Sequence, residues 1–290
     1  MALSPCKSLL LHLYYYGSRP YRALRDHRAA ALRRMPVTVL FYHRVADDGD
    51  HHLTCSYHAF ARQIAWMKRH CDVVSLEEAQ RRIRRGDSPR PCVSITFDDG
   101  YCDNCREAIP LLVREGIPCT YFVTLDNVLS GEPFAHDLAA GRHFAPNNLE
   151  QLRAMAAAGV DIGAHTFSHP DLSQIDDDAI LYHEVVEAGE ELARRLHRPV
   201  RYFAFPFGQR QHLNRRAFAI ARDAGYEAVC SGYGGYNFPG DDPFEIQRIA
   251  SDDELIRIKN RVTVDPRKWN TPRFSCESAE ALETAGSVSG

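Results

Sequence analysis

The stretch Cys92-Val93-Ser94-Ile95-Thr96-Phe97-Asp98-Asp99-Gly100 decides the reading of this chain. Its first six residues are rich in β-branched and aromatic side chains and predict a buried strand. The strand runs directly into two carboxylates and a glycine that can turn the chain. Working outward, similar runs predict strands at Val37–Tyr42, 119–124, 160–164, 201–204, 227–230 and 246–249, with a short one at Asp72–Val74. Helical periodicity fills the intervals at Tyr57–His70, Leu76–Arg85, 104–115, 148–158, 176–195 and 213–224. Ser75 with Glu78 reads as a capping box, Ser251 with Glu254 as the start of a last helix, and Pro110 as a bend in its helix. Residues 125–146 lack periodicity and read as an irregular rim loop. Strands alternating with helices imply a parallel sheet with crossover helices, either open or closed into a barrel.

Composition sets the outer bounds. The 290 residues are 44% hydrophobic and 25% charged, ordinary values that exclude a disordered or fibrous chain. No apolar run approaches the roughly 18 residues of a membrane-spanning helix. The net charge of -3 and a pI near 6.5 argue against a nucleic-acid binder. Nine cysteines in a long chain do not read as a disulfide framework. Residues 1–36 hold seven basic residues against one acidic residue, a basic arm with aromatic side chains. It reads either as a helix packed on the domain or as a peripheral contact with an anionic membrane surface. The arm lacks the cleavage site of a signal peptide, so the expected location is cytoplasmic or peripheral at the inner membrane face. The expected organisation is the arm 1–36, one catalytic domain 37–265, and a disordered tail 266–290.

In parallel folds, ligands bind where strands end at their carboxyl side. Three predicted strands deliver polar groups there: Asp98-Asp99-Gly100, His165-Thr166-Phe167-Ser168-His169, and His43 after Tyr42. Histidines at i and i+4 share one face of a helical turn, so His165 and His169 can reach one ion. Asp99 as a third ligand leaves a position for water, as in catalytic zinc sites. Neighbouring side chains diverge in an extended segment, so Asp98 remains free to act as general base toward that water. Zn²⁺ or another divalent ion suits these donors.

Thr96-Phe97-Asp98-Asp99-Gly100, His165-Thr166-Phe167-Ser168-His169 and Phe203-Ala204-Phe205-Pro206-Phe207-Gly208 resemble, in order, the first three signature motifs of the polysaccharide deacetylase family, also called the NodB-homology domain or carbohydrate esterase family four. The resemblance covers about residues 37–262. It implies a single-domain, distorted (β/α) barrel that removes acetyl groups, most simply N-acetyl, from an acetylated glycan or amino sugar. It further implies that Asp98 is the base, that Asp99, His165 and His169 hold the metal, and that backbone around Phe207 binds the oxyanion. Many relatives carry an arginine where this chain has Ala204, and the form seen here is similar to the branch that includes poly-N-acetylglucosamine deacetylases. Arg248 is the candidate for the missing charge. The usual late Leu-x-His motif is absent, and Leu40-Phe41-Tyr42-His43 takes its place, with His43 as the acid that protonates the leaving amine. A catalytically weak glycan-binding module and a non-haem iron oxygenase are the alternative readings. Cys102-x-x-Cys105 reads as structural, His51-His52 as a loop touching substrate or solvent, and Tyr101 and Tyr233 as possible sugar-stacking rings.

Overall fold

The computed structural model describes residues 4–48, 53–263, 265, 269 and 271–274. Strands are β1 (Val37–Tyr42), β2 (Arg44–Val45), β3 (Thr54–Cys55), β4 (Asp72–Val74), β5 (Cys92–Phe97), β6 (Cys119–Val123), β7 (Asp161–Ala164), β8 (Tyr202–Ala204), β9 (Ala228–Cys230), β10 (Glu245–Ile246) and β11 (Ile249–Ala250). Helices are α1 (Pro5–Gly17), α2 (Arg19–Ala31), α3 (Tyr57–His70), α4 (Leu76–Arg85), α5 (Ala108–Arg114), α6 (Leu125–Ser130), α7 (Ala135–Ala139), α8 (Leu149–Ala157), α9 (Asp178–Tyr182), α10 (Ala188–Leu196), α11 (Arg215–Asp223) and α12 (Leu255–Val262).

The main sheet runs β10-β9-β8-β7-β6-β5-β1-β11, with β4 beside the start of β5 and every strand pair parallel. This is the curled parallel sheet of a (β/α) barrel. Its two free edges are joined by only two residues, Gln247 and Arg248, which carry the chain from β10 to β11. A single strand over 246–249 was expected, but one straight strand cannot pair with β9 and β1 on opposite sides of the seam, so it breaks. Asn237 closes the gap below. Its backbone exchanges hydrogen bonds with Val37, while its side-chain amide donates to the Gln247 carbonyl at 2.8 Å and accepts from the Gln247 amide at 2.9 Å. The amide side chain thus imitates a peptide unit and satisfies buried backbone groups.

Strand alternation sorts the side chains onto two faces of the sheet. Val93, Ile95, Phe97, Leu40, Tyr42 and Tyr121 face outward onto the helices. Val37, Val39, Phe122, Tyr202, Ala204, Ala228, Cys230 and Ile246 fill the interior, and α4 adds Leu76, Ala79 and Ile83. Gln80 on α4 donates to the carbonyls of Glu227 and Pro243 at the strands' N-terminal end. That leaves the C-terminal end for the polar strand ends. The same period of two continues along β5 through Ser94 and Thr96 to Asp98, so Asp98 belongs to the interior face.

Several local expectations are corrected. Residues 125–146 are not irregular, because they contain α6 and α7. The helix expected over 104–115 is a tight 3₁₀ turn (Cys102–Cys105) followed by α5, and Pro110 sits in the first turn of α5, where a missing N–H costs nothing. The long helix expected over 176–195 starts at the Asp177 cap and contains a π-type turn at His183–Glu187. Ser75 caps α4 through the Glu78 amide, but Glu78 turns its carboxylate to Arg81 and Arg82 instead of completing the box. Glu254, not Ser251, is the N-cap of α12, with Asp252 accepting from its amide.

The basic arm folds as α1 and α2 and docks on α12. Arg22 is buried and donates to Asn260 at 2.9 Å, and Arg25 donates to the Thr263 carbonyl and lies over the Trp269 ring. Where residues 266–290 are described they are packed against the domain: the Trp269 ring lies tilted against Phe238, and Phe274 stacks on Phe218. His51, His52 and residues 275–290 lie outside the described residues. Among the described residues, no helix is long and apolar enough to cross a membrane.

Gly163 on β7 pairs directly with Phe122 on β6, and a Cβ at Gly163 would meet the Phe122 ring at 2.4 Å. The ring therefore lies over the glycine, and interior volume is shared between them. Gly163→Val should destabilise the barrel by about 1–3 kcal/mol through overpacking. Chemical unfolding measures this, and unchanged stability would contradict the assignment of the interior.

Candidate metal centre and active site

The seam between β10 and β11 aims Arg248 into the barrel. Its guanidinium donates to Asp98 Oδ1 at 2.6 Å and Oδ2 at 2.8 Å, to Thr96 Oγ1 at 3.1 Å and to the Ser231 carbonyl at 2.9 Å. It lies over the Phe41 and Phe122 rings. Both partners are almost wholly buried, at 1% and 3% exposure. Burial opposes the guanidinium charge, but Asp98 outweighs it and holds Arg248 above its usual range. The planar fork fixes the plane of the Asp98 carboxylate. Asp98 thus receives a guanidinium from the seam between β10 and β11.

Asp99 turns the opposite way because its backbone is left-handed (φ 70°). Its Oδ1 lies 3.4 Å from His165 Nε2 and 3.3 Å from His169 Nε2. The ligand atoms of these three residues all lie within 4.8 Å of one another. His165 Nδ1 is 2.8 Å from the Ala204 carbonyl, which can only accept, so Nδ1 carries a proton and Nε2 is the nitrogen turned to Asp99. Burial would raise the Asp99 carboxyl, yet His43, His165 and His169 hold it well below the usual range, so it is ionised. At His169, burial outweighs the Asp99 carboxylate and lowers the imidazole below 6.5, favouring the neutral form. One carboxylate oxygen and two imidazole Nε2 atoms therefore face one point. Tetrahedral zinc with ligands at about 2.0–2.1 Å requires ligand atoms about 3.3–3.4 Å apart. The donor set fits a divalent cation.

The histidines do not lie on a helical turn, as their spacing predicts. Residues 165–169 form an irregular loop with left-handed backbone at Thr166 (φ 67°) and His169 (φ 62°). Two such residues turn the chain back so that both rings converge. Glu184 holds this loop: its carboxylate accepts from the Phe167 and Ser168 amides, each at 2.9 Å, and from the Ser168 hydroxyl at 2.6 Å. Glu184 sits in the π-type turn, a distortion often found at functional sites. Phe207 adds a further left-handed residue (φ 60°). Of the six non-glycine residues with such backbone among those described, four lie here, each held against a cost of about 1–3 kcal/mol.

Phe207 is half exposed, with its ring 5.2 Å from that of His169. Its amide meets no acceptor among the described residues, so it is available to an incoming oxygen. Gly208 allows this turn: at φ 65° its missing Cβ would lie 2.7 Å from the Gly232 amide nitrogen. His43 packs edge-on against Phe41, and its carbonyl accepts from Asn104 Nδ2 at 2.7 Å. The imidazole lines a small depression of about 90 Å³ with Leu53, Ser251 and Asp252.

Sequence reasoning passed over Glu184, which looks like any helix-surface acid, and Asn104, which bonds the Val45 amide, the His43 carbonyl and Tyr121. It also passed over Phe134 and His136, whose rings stand 5.4 and 6.1 Å from that of His169. Tyr101 is fully buried and donates to Asp137, so it cannot stack on a sugar. Tyr233 is half-buried and spends its hydroxyl on Glu245. Cys102 and Cys105 are free thiols raised by burial, with Cys105 beside Met155.

The buried Asp98 carboxylate stands beside three residues that could hold a cation, at the C-terminal end of a parallel barrel. The polysaccharide deacetylase family matches residues 85–229, half of the chain, and the chain belongs to that family. It is a hydrolase acting on carbon–nitrogen bonds other than peptide bonds, in a family that is in general metal-dependent. It is 25% identical over 232 residues to the YxkH protein of Bacillus subtilis (strain 168), across 79% of this chain and 72% of that one. Its fold is that of IcaB from Ammonifex degensii, with a TM-score of 0.68 and 24% identity over 79% of this chain and 98% of that one. The Streptococcus pyogenes deacetylase PplD is similar, with a TM-score of 0.65 and 22% identity over 76% and 94%.

Arg248→Met should cost about 3–5 kcal/mol of unfolding free energy, because it strands a buried Asp98 carboxylate. Pairing it with Asp98→Asn should recover a large part of that loss. Denaturant titration of both variants measures this, and a loss below about 1 kcal/mol in the single variant would show that the pair is not closed as described.

Proposed function

We propose that the chain removes N-acetyl groups from an acetylated glycan or amino sugar and depends on a divalent metal ion held by Asp99, His165 and His169. The observation that carries this reading is the convergence of one ionised carboxylate and two imidazole Nε2 atoms beside a carboxylate fixed by Arg248. Zinc is the ion the nitrogen and oxygen donors suit best, and other borderline divalent ions share that chemistry. When bound, the ion would supply Lewis acidity to the attacking water and the acetamido oxygen.

The chain's own groups complete the reaction. Asp98 takes a proton from water as its oxygen bonds to the acetyl carbon. The Phe207 amide donates to the developing oxyanion. Arg248 acts as a positioning residue, keeping Asp98 out of the metal ligand set. His43 delivers a proton to the amide nitrogen as the carbon–nitrogen bond breaks, because an amide anion is a very poor leaving group. The products are acetate and a free amine. The substrate's acetylated sugar would enter over Phe207 and His136, the exposed rings beside His169.

Asp99→Ala, His165→Ala and His169→Ala should each lower metal occupancy, measured by elemental analysis after dialysis. Asp98→Asn should keep the metal and lose about 10²–10⁴-fold in acetate release from acetylated chito-oligosaccharides. Full occupancy in the three ligand variants, or full activity in Asp98→Asn, would overturn the assignment of ligands and base.

The acid has its own test. His43→Ala should retain metal and fold and lose turnover on acetamido substrates, while activated aryl acetates, whose leaving group needs little protonation, are hurt much less. Equal losses on both substrates would contradict the role of His43.

A further inference from the structure

Thirteen large hydrophobic side chains are exposed among the described residues, and seven of them belong to one short segment: Leu9, Leu10, Leu13, Tyr16, Tyr21, Leu24 and Leu32. Scattered exposed apolar residues are ordinary, but a concentrated patch marks an interaction surface. The helical geometry makes the concentration sharper. On α1, Cys6, Leu9, Leu10, Leu13 and Tyr16 are all exposed, and at about 100° per residue they share roughly a third of the helix circumference. The opposite side, with Ser8, Leu11, Tyr14 and Tyr15, is partly covered by the domain. On α2 the buried side is fixed by Arg22, and Tyr21, Leu24 and Arg28 point away from it. The apolar stripe is therefore an outward face of a docked element and has no place in the core.

Its charge identifies the occupant. Lys7, Arg19 and Arg28 are exposed on these two helices, Arg28 on the outward side and Lys7 and Arg19 in the first turn of each. Their only acid, Asp26, is half-buried and paired with Arg25. A second copy of the chain would bring two basic faces together. An anionic lipid surface meets both features at once, with leucines entering the acyl boundary, tyrosines at headgroup level, and Lys and Arg against phosphates. Each helix is only 13 residues long, so the pair can lie in the interface but cannot cross it.

We propose that the outward face of α1 and α2 is a docking surface for an anionic phospholipid membrane, independent of the chemistry at the barrel mouth. Flotation of the full chain with vesicles tests this, using phosphatidylcholine alone and phosphatidylcholine with about 30% phosphatidylglycerol. The chain should float with the anionic vesicles only, and less so at high salt. The triple variant Lys7→Gln/Arg19→Gln/Arg28→Gln should bind about 100-fold more weakly. Leu9→Ser/Leu10→Ser/Leu13→Ser should not float, while its thermal midpoint stays at the wild-type value because the leucines touch little of the domain. Equal flotation with both vesicles, no flotation, or a wild-type dimer that the leucine variant converts to monomer would each overturn the proposal.

Discussion

The buried contact between Arg248 and Asp98 is the constraint on which the rest of the site depends. It ties the last strand pair of the barrel to the strand that ends in the two aspartates, and it does so across the seam where the sheet meets itself. A buried ion pair is weak grounds for stability, because desolvation consumes most of the attraction. Its value here is geometric. With both Asp98 oxygens gripped by one planar group, the neighbouring carboxylate alone can turn toward the histidines, so adjacent residues of one type take separate positions.

Strain does the remaining work of convergence. Asp99, Thr166, His169 and Phe207 adopt backbone conformations that side chains disfavour, and specific contacts hold the turns at 165–169 and 207–208. Glu184 clamps the histidine loop, the Ala204 carbonyl orients His165, and Gly208 packs flush on Gly232. The barrel provides the rigid base for these turns. Its interior is filled where strands begin and polar where they end, so energy gained by burial below is available to hold strained loops above.

Much of this was legible in the residues. The strand Cys92–Phe97 and its polar end follow from period and composition, and the two histidines and Asp99 follow from donor chemistry at strand ends. The signature motifs also led to the right family. What was not legible arose from tertiary pairing. A run such as 246–249 carries no local sign that its two halves pair on opposite edges of the sheet, yet that break is what directs Arg248 inward. The spacing of His165 and His169 suggests a helical turn, whereas the chain reaches the same convergence by left-handed residues held by Glu184 and by the Leu125 and Asp126 amides, all distant in sequence. α6 and α7 are short and marginal alone, so periodicity over 125–146 is too brief to detect.

The central claim is that Asp99, His165 and His169 hold one divalent ion while Asp98 remains bound to Arg248. The most direct measurement is a crystal structure of the full chain grown with zinc, with anomalous diffraction collected at the zinc edge. The account predicts a single strong anomalous peak within coordinating distance of Asp99 and of Nε2 of both histidines, with Asp98 still forked to Arg248. A peak ligated by Asp98, or no peak between Asp99 and the two imidazoles, would contradict it.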